Sequence, residues 1–123
     1  MKIILSVAPQ HSILLLADVG NEAAEVPLDG VEDAVVSSGS VVGINVMAEV
    51  DGETLVELTD EPSDPTDLIP LFDGSVDTPS RSVSLCTSDW SVLAALAVGD
   101  DEARVRIFGS TSTRPDRVLV VLS

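Results

Sequence analysis

The sequence predicts an all-β fold, an antiparallel β-sandwich of about eight or nine short strands. Valine occurs 19 times, and apolar runs of strand length alternate with turn residues along the whole chain. Seven prolines and eight glycines interrupt these runs. A chain of 123 residues that is 45% apolar can bury one core, so we expect a single domain spanning residues 1–123.

The first third of the chain predicts two strands and one ambiguous stretch. The strands are expected at residues 3–8 and 12–19, with their connection at Pro9. An edge segment is expected at residues 26–28. Residues 31–36 fit either a short strand or a helical turn, and the pattern leaves both open.

Residues 43–59 show the clearest alternation of apolar and polar side chains and predict a β-hairpin. A three-residue loop at 50–52 is favoured over a two-residue turn, because it places the apolar side chains of both arms on one face. Gly52 then takes the left-handed position of a bulge. The side chains that share this face are Ile44, Val46, Val56 and Leu58.

The following segment, residues 60–67, contains two prolines and four acids and predicts a loop. Short strands are expected at residues 68–72, where Pro70 interrupts the run, and then at residues 75–78 and 81–86.

Residues 90–98 fit either a helix or a strand. The strand is favoured because a four-residue loop at 99–102 then pairs residue 98 with 103 and residue 96 with 105. Residues 117–122 are almost continuously apolar, which predicts a central strand.

The charge of the chain is strongly negative and unevenly distributed. Twenty-one acids and six bases give a net charge of −15. Residues 3–80 hold 16 acids and no lysine or arginine, whereas residues 81–123 hold five of each sign. The apolar content excludes a disordered acidic tail, and the charge argues against direct binding of nucleic acid or an anionic membrane.

A basic protein partner is the use that we expect for this charge. Complementary charge accelerates association and fixes register, and an acidic domain can occupy the basic cleft of a nuclease in place of phosphates. We therefore expect a non-enzymatic binding protein that inhibits or neutralises a nuclease or a toxin. The predicted partner-binding residues are Glu49, Asp51, Glu53, Glu57, Asp60 and Glu61, of which Glu49, Glu53 and Glu57 share the polar face of the hairpin.

Two other interpretations remain. An acid-rich, lysine-poor surface also fits a protein adapted to high salt. Such a protein could be a structural module that self-associates through an exposed strand edge. Alternatively, the carboxylates of residues 60–67 could gather around Ca²⁺, although their spacing is not that of an EF-hand. An exposed acidic loop is the preferred interpretation, and we expect neither a metal nor a cofactor.

No catalytic motif is present, and we expect no enzymatic activity. Cys86 is the only cysteine, which excludes an internal disulfide, and it is expected to be buried. His11 is the only histidine, and nothing in its spacing supports a catalytic pair. Trp90 is either a core anchor or an interface residue. With neither a signal peptide nor an apolar run of spanning length, we expect a cytoplasmic protein.

The order of these elements resembles the competence protein J family, the inhibitors of the DNA-entry nuclease. The resemblance is one of layout across most of the chain, and it implies a β-sandwich that binds and inhibits a nuclease. It rests on Gln10-His11-Ser12 leading into a strand that ends at Asp18, on the hairpin-containing stretch 31–57, on Ile69-Pro70-Leu71-Phe72, and on Val83-Ser84-Leu85 leading to Asp89-Trp90.

Overall fold

Ten strands form two five-stranded sheets in the computed structural model, which describes residues 1–27 and 34–123. The expected β-sandwich is confirmed. The strands are β1 (Lys2–Val7), β2 (Ile13–Ala17), β3 (Val35–Ser37), β4 (Val41–Asn45), β5 (Thr54–Thr59), β6 (Ile69–Asp77), β7 (Ser82–Cys86), β8 (Val92–Ala97), β9 (Glu102–Gly109) and β10 (Arg117–Leu122).

Sheet I has the order β1-β5-β10-β9-β6, and sheet II has the order β3-β4-β2-β7-β8. Neighbouring strands are antiparallel with one exception, the parallel pair of β5 and β10. The strand at residues 117–122 lies between two neighbours, as its apolar run predicted. Within the described ranges, no helix has the length and apolarity that crossing a membrane requires.

The core lies between the two sheets and is aliphatic. Each strand sends alternate side chains inward, so Leu14 and Leu16 of β2 meet Val120 and Leu122 of β10 in one buried cluster. Because 17 buried residues belong to this cluster, a single apolar layer holds the sheets together.

The predicted hairpin at residues 43–59 is wrong. The first arm becomes β4, which pairs with β2 and β3 in sheet II, and the second becomes β5, which pairs with β1 and β10 in sheet I. The predicted apolar residues of both arms are all buried, but they meet across the sandwich instead of side by side. The chain crosses between the sheets at a 3-10 turn, Glu49–Asp51, followed by Gly52 at φ 129°.

Two other details differ from expectation. Residues 92–97 form a strand, but β8 pairs with β7, and β9 pairs with β6 and β10, so the predicted pairing of residues 98 and 103 is wrong. The two short strands expected at 68–72 and 75–78 are one strand, β6, with a bulge between Pro70 and Phe72. Residues 28 and 31–33 of the two ambiguous segments lie outside the described residues, and β3 begins at Val35.

Candidate functional site

The six predicted partner-binding acids form a band along β5 instead of a compact cluster. Glu49 and Asp51 lie in the 3-10 turn before the strand, and Glu53 directly precedes it. Glu57 lies within β5, and Asp60 and Glu61 follow its other end. At about 3.3 Å per residue, the band from Glu53 to Asp60 is roughly 23 Å long. The structure thus places these acids beside one strand but not on the polar face of a hairpin.

Most acids of this band have no ion-pair partner among the described residues. Glu57 is the half-buried exception, with its Oε1 3.7 Å from Lys2 Nζ, and Asp60 Oδ1 lies 2.5 Å from the N-terminal nitrogen. That hydrogen bond holds the pKa of Asp60 below its ordinary value. The exposed carboxylates of the band that form no ion pair in the described structure are Glu49, Asp51, Glu53 and Glu61.

Exposed apolar side chains accompany the acidic band. Ile4 of β1 is directly opposite Glu57, and Leu119 of β10 is opposite it on the other side. Ile4 is 58% exposed and Leu55 is 40% exposed. Carboxylates beside exposed apolar groups are a common arrangement at protein interfaces, where the apolar groups are desolvated and the charges orient the partner.

Beyond Glu61, the loop that continues to residue 68 does not extend the acidic band. It crosses the outer face of sheet I, where Leu68 packs against side chains of β9 and β10. Asp64 Oδ1 lies 3.1 Å from Arg106 Nη1, and Asp67 Oδ2 lies 3.0 Å from Arg117 Nη1. These carboxylates are therefore paired with arginines of the sheet beneath them.

The same contacts separate the carboxylates of the alternative Ca²⁺ site. Asp60 is directed to the N-terminus, Asp64 to β9 and Asp67 to β10. In the part of the chain that the structure describes, no three histidine, cysteine or acidic side chains lie close enough together to hold a metal ion.

A second surface feature is a groove on the outer face of sheet II. It has a volume of about 480 Å³, and its walls include Val19, Val26, Trp90 and Val92. Trp90 is 39% exposed and absent from the buried clusters, so the core-anchor interpretation of this residue is wrong.

Asp18 contributes a buried carboxylate to the groove. It is 1% exposed, and its two oxygens accept backbone hydrogen bonds from Gly20 N at 2.9 Å and Ser80 N at 2.6 Å. Among the described residues no cation pairs with it. These bonds fix the end of β2 against the turn between β6 and β7, and the carboxylate adds negative potential to one end of an apolar groove.

Cys86 and His11 are not brought together. Cys86 is fully buried, and burial raises the pKa of its thiol. His11 is exposed, in a 3-10 turn between β1 and β2, at the left-handed φ of 62°. The two therefore do not form a nucleophile and base.

Two solved structures share this fold. One is the crystal structure of ComJ, inhibitor of the DNA degrading activity of NucA, from Bacillus subtilis, with a TM-score of 0.61 and 4% identity over 98% of this chain and 93% of that one. The other is the product of crocagin biosynthetic gene J, with a TM-score of 0.57 and 15% identity over 98% of this chain and 94% of that one. No protein-family model matches the chain, and no curated protein matches its sequence. The resemblance to the competence protein J family that the order of elements indicated is therefore confirmed as a resemblance of fold.

Proposed function

We propose that this chain is a non-enzymatic binding protein that inhibits a basic, DNA-degrading nuclease, with a toxin of an immunity pair as the second class of target. The observation that carries the proposal is the fold that the chain shares with ComJ along nearly its full length. Many functions occur on one fold, so the surface must also suit the task.

The acidic band along β5 supports this function. A nuclease attracts DNA with a basic cleft, because phosphate contacts supply most of its non-specific affinity. The unpaired carboxylates Glu49, Asp51, Glu53 and Glu61 present the same sign of charge to such a cleft. Ile4 and Leu55 supply apolar area beside them. We propose that Glu57 and Asp60 complete the contact surface with these residues.

The alternative, a self-assembling module, is disfavoured by charge. Two copies, each with a net charge of −15, repel each other except at high salt. Self-association would have to use a surface without acids, and the acidic band is then left without a role.

The test is inhibition of a purified nuclease. Proteins cross-linked to the chain in cells of its source are identified, and each basic candidate is purified and assayed for DNA degradation with increasing amounts of this protein. NucA serves as a defined second probe. We expect saturable inhibition at a one-to-one ratio, with an association rate that falls steeply as salt is raised. If every basic candidate and NucA degrade DNA at an unchanged rate, the proposed function is wrong.

Paired variants locate the contact. Glu49→Gln with Glu53→Gln removes two charges at one end of the band, and Glu57→Gln with Glu61→Gln removes two at the other. The matched control is Asp77→Asn with Glu102→Gln, two opposed residues of β6 and β9, which lie three strands and two strands from β5 respectively. We expect association to slow several-fold for the band variants and to change little for the control.

A further inference from the structure

Trp90 is held in an unusual backbone conformation at the surface. Its φ is 65°, and its N–H donates to the carbonyl of Thr87 at 3.0 Å, closing the turn between β7 and β8. Glycine normally takes this left-handed position, because a side chain there is crowded by the backbone. Four other non-glycine residues of the described chain also have a positive φ, but Trp90 is the one among them with a large apolar side chain, and that side chain is 39% exposed. Strained residues with exposed apolar side chains are frequent at binding sites.

The strand after Trp90 has an open edge. β8 is the last strand of sheet II, and in the described ranges only β7 pairs with it. Val98 N–H donates to Arg81 C=O at 2.9 Å, so the backbone groups of Leu96 and Ala94 face β7 as well. The N–H and C=O groups of Ala95 and Ala97 consequently face away from the sheet.

This edge lacks the usual protection against pairing with another strand. The β8 sequence VLAALA contains neither a charge nor a proline, whereas β6, one of the two edge strands of sheet I, carries Pro70, two aspartates and a bulge. Val92 is 52% exposed and lies beside Trp90 in the groove wall. The open edge and the apolar groove are therefore one continuous surface.

The charges around this surface indicate which kind of strand can bind to it. Asp89 precedes β8, and Asp100 and Asp101 follow it, all exposed and with no ion pair in the described structure. In an antiparallel pair of two β8 strands, Asp89 of one copy would approach Asp100 and Asp101 of the other, and these like charges repel. An extended segment with an apolar centre and basic ends meets opposite charges at both ends instead.

We propose that the β8 edge and the Trp90 groove bind an extended, basic-ended segment of the protein partner by strand addition. Backbone hydrogen bonds to Ala95 and Ala97 supply the register. A side chain of the added strand enters the groove against Trp90, with the Asp18 carboxylate favouring a cationic tip. This inference rests on the proposed function for the identity of the partner, and it adds a second contact surface on the opposite sheet from the acidic band.

Trp90 itself reports on binding, since it is the only tryptophan and the chain contains no tyrosine. The probe is a synthetic nine-residue peptide with an alternating valine–threonine centre and two basic residues at each end. We expect a saturable blue shift of Trp90 emission as the ring loses water. A peptide with the same centre and acidic ends is expected to cause none. No shift with the basic peptide up to about 1 mM overturns the proposal.

Variants separate the edge from the groove. Trp90→Asn suits the left-handed backbone and removes the ring, and we expect at least 30-fold weaker binding by calorimetry, the loss typical of a hot-spot residue. Trp90→Phe should retain most of the affinity. Ala97→Pro removes an outward N–H, and we expect about 10-fold weaker binding, the equivalent of one net hydrogen bond, whereas Ala97→Val should bind like the parent. Equal affinity for the parent, Trp90→Asn and Ala97→Pro overturns the inference.

The outcomes distinguish this inference from the proposed function. A nuclease inhibited equally by the parent and by Trp90→Asn overturns the inference and leaves the proposed function standing. A nuclease unaffected by the parent overturns the proposed function, whatever the peptide does. A blue shift that grows with protein concentration alone, together with a dimer mass, identifies a second copy as the occupant and overturns the inference.

Discussion

Arg106 fastens the acidic loop onto the outer face of sheet I through Asp64. Its Nη1 lies 3.1 Å from Asp64 Oδ1, and its Nη2 donates to the carbonyl of Ser63 at 3.0 Å. The guanidinium carbon also lies 5.6 Å from the centre of the Phe108 ring. Besides the Asp67–Arg117 ion pair and the packing of Leu68, the loop is thus held by one arginine that makes charged, polar and aromatic contacts.

Replacing Arg106 should loosen this loop more than replacing Asp64. Arg106→Ala loses the packing of the arginine stem and the aromatic contact, and we expect a loss of about 1 kcal/mol in the free energy of unfolding. Asp64→Asn should cost only a few tenths, because Asp64 is 94% exposed and its ion pair is weakened by solvent. Denaturant unfolding measures both, and faster hydrogen exchange is expected in residues 60–68 of Arg106→Ala. Arg114→Ala is the control, and equal losses for Arg106 and Arg114 would contradict the prediction.

Asp18 should be among the costliest polar residues to remove. Asp18→Ala removes a buried side chain together with the acceptor of two part-buried backbone N–H groups, those of Gly20 and Ser80, and we expect a loss of about 1–3 kcal/mol. Asp18→Asn retains one acceptor oxygen and should cost about half as much. Chemical denaturation measures the difference. A loss below about 0.5 kcal/mol for the alanine variant would show that these hydrogen bonds are replaced by water.

The failure of the predicted hairpin shows what alternation can and cannot specify. The apolar positions of residues 43–59 were predicted correctly, because period-two alternation identifies which face of a strand is buried. It does not identify the neighbouring strand. Val46 and Val56 are buried whether their strands pair in one sheet or face each other in two, so burial alone could not distinguish a hairpin from a crossover.

The candidate site was predictable only in part. Which acids of the loop remain unpaired depends on long-range contacts. Nothing in the sequence distinguishes Asp64 and Asp67 from Glu61, and only the folded sheet brings Arg106 to Asp64 and Arg117 to Asp67. The β8 edge had a local signal, the charge-free run VLAALA after Asp89 and Trp90. That signal becomes interpretable only when the sheet order shows that β8 is a terminal strand.

Cys86 should react with thiol reagents only when the protein opens. The thiol is fully buried, and burial raises its pKa, so both access and thiolate formation are suppressed in the folded state. We expect the labelling rate to rise with denaturant in parallel with global unfolding. Cys86→Ala should cost less stability than Cys86→Ser, since serine places a hydroxyl in an apolar cluster. Rapid labelling in the absence of denaturant would contradict the prediction.

The ion pair of Asp73 and Arg104 should contribute stability only above acidic pH. Two hydrogen bonds from Arg104 lower the pKa of Asp73 from its ordinary 3.8. Because the pKa of Asp73 is lower in the folded state, the ion pair contributes its full stability at pH values above the pKa of the unfolded state. This contribution disappears as the pH falls through the pKa of the folded state. The stability difference between the parent and Asp73→Asn should therefore be constant above about pH 5 and vanish below the folded pKa. Arg104→Gln should reproduce this profile, and a stability difference that does not decrease as the pH falls below about 4 would contradict it.

Added salt should stabilise the folded protein, because repulsion extends farther than attraction in this molecule. The five ion pairs of residues 1–27 and 34–123 join atoms 2.5–3.7 Å apart, well inside the screening length of about 8 Å at 0.15 M salt. The repulsion among the excess acids acts over distances as long as the whole molecule. At 0.01 M salt the screening length is about 30 Å, so this long-range repulsion is hardly screened. Raising NaCl from 0.01 to 0.15 M removes mainly repulsion, and we expect the Tm to rise by about 3–8 °C.

Controls at equal ionic strength test the cause of this effect. NaCl and KCl should act equally, and CaCl2 should add nothing beyond its ionic strength unless carboxylates bind the ion. Glu49→Gln with Glu53→Gln should raise the Tm at low salt and reduce its salt dependence, because neighbouring charges are removed. If this variant also binds the partner more slowly, the same carboxylates lower stability and accelerate binding. A Tm that is constant or falls with NaCl would mean that the acids are too dispersed to repel, and the acidic band would then lose its electrostatic role in binding.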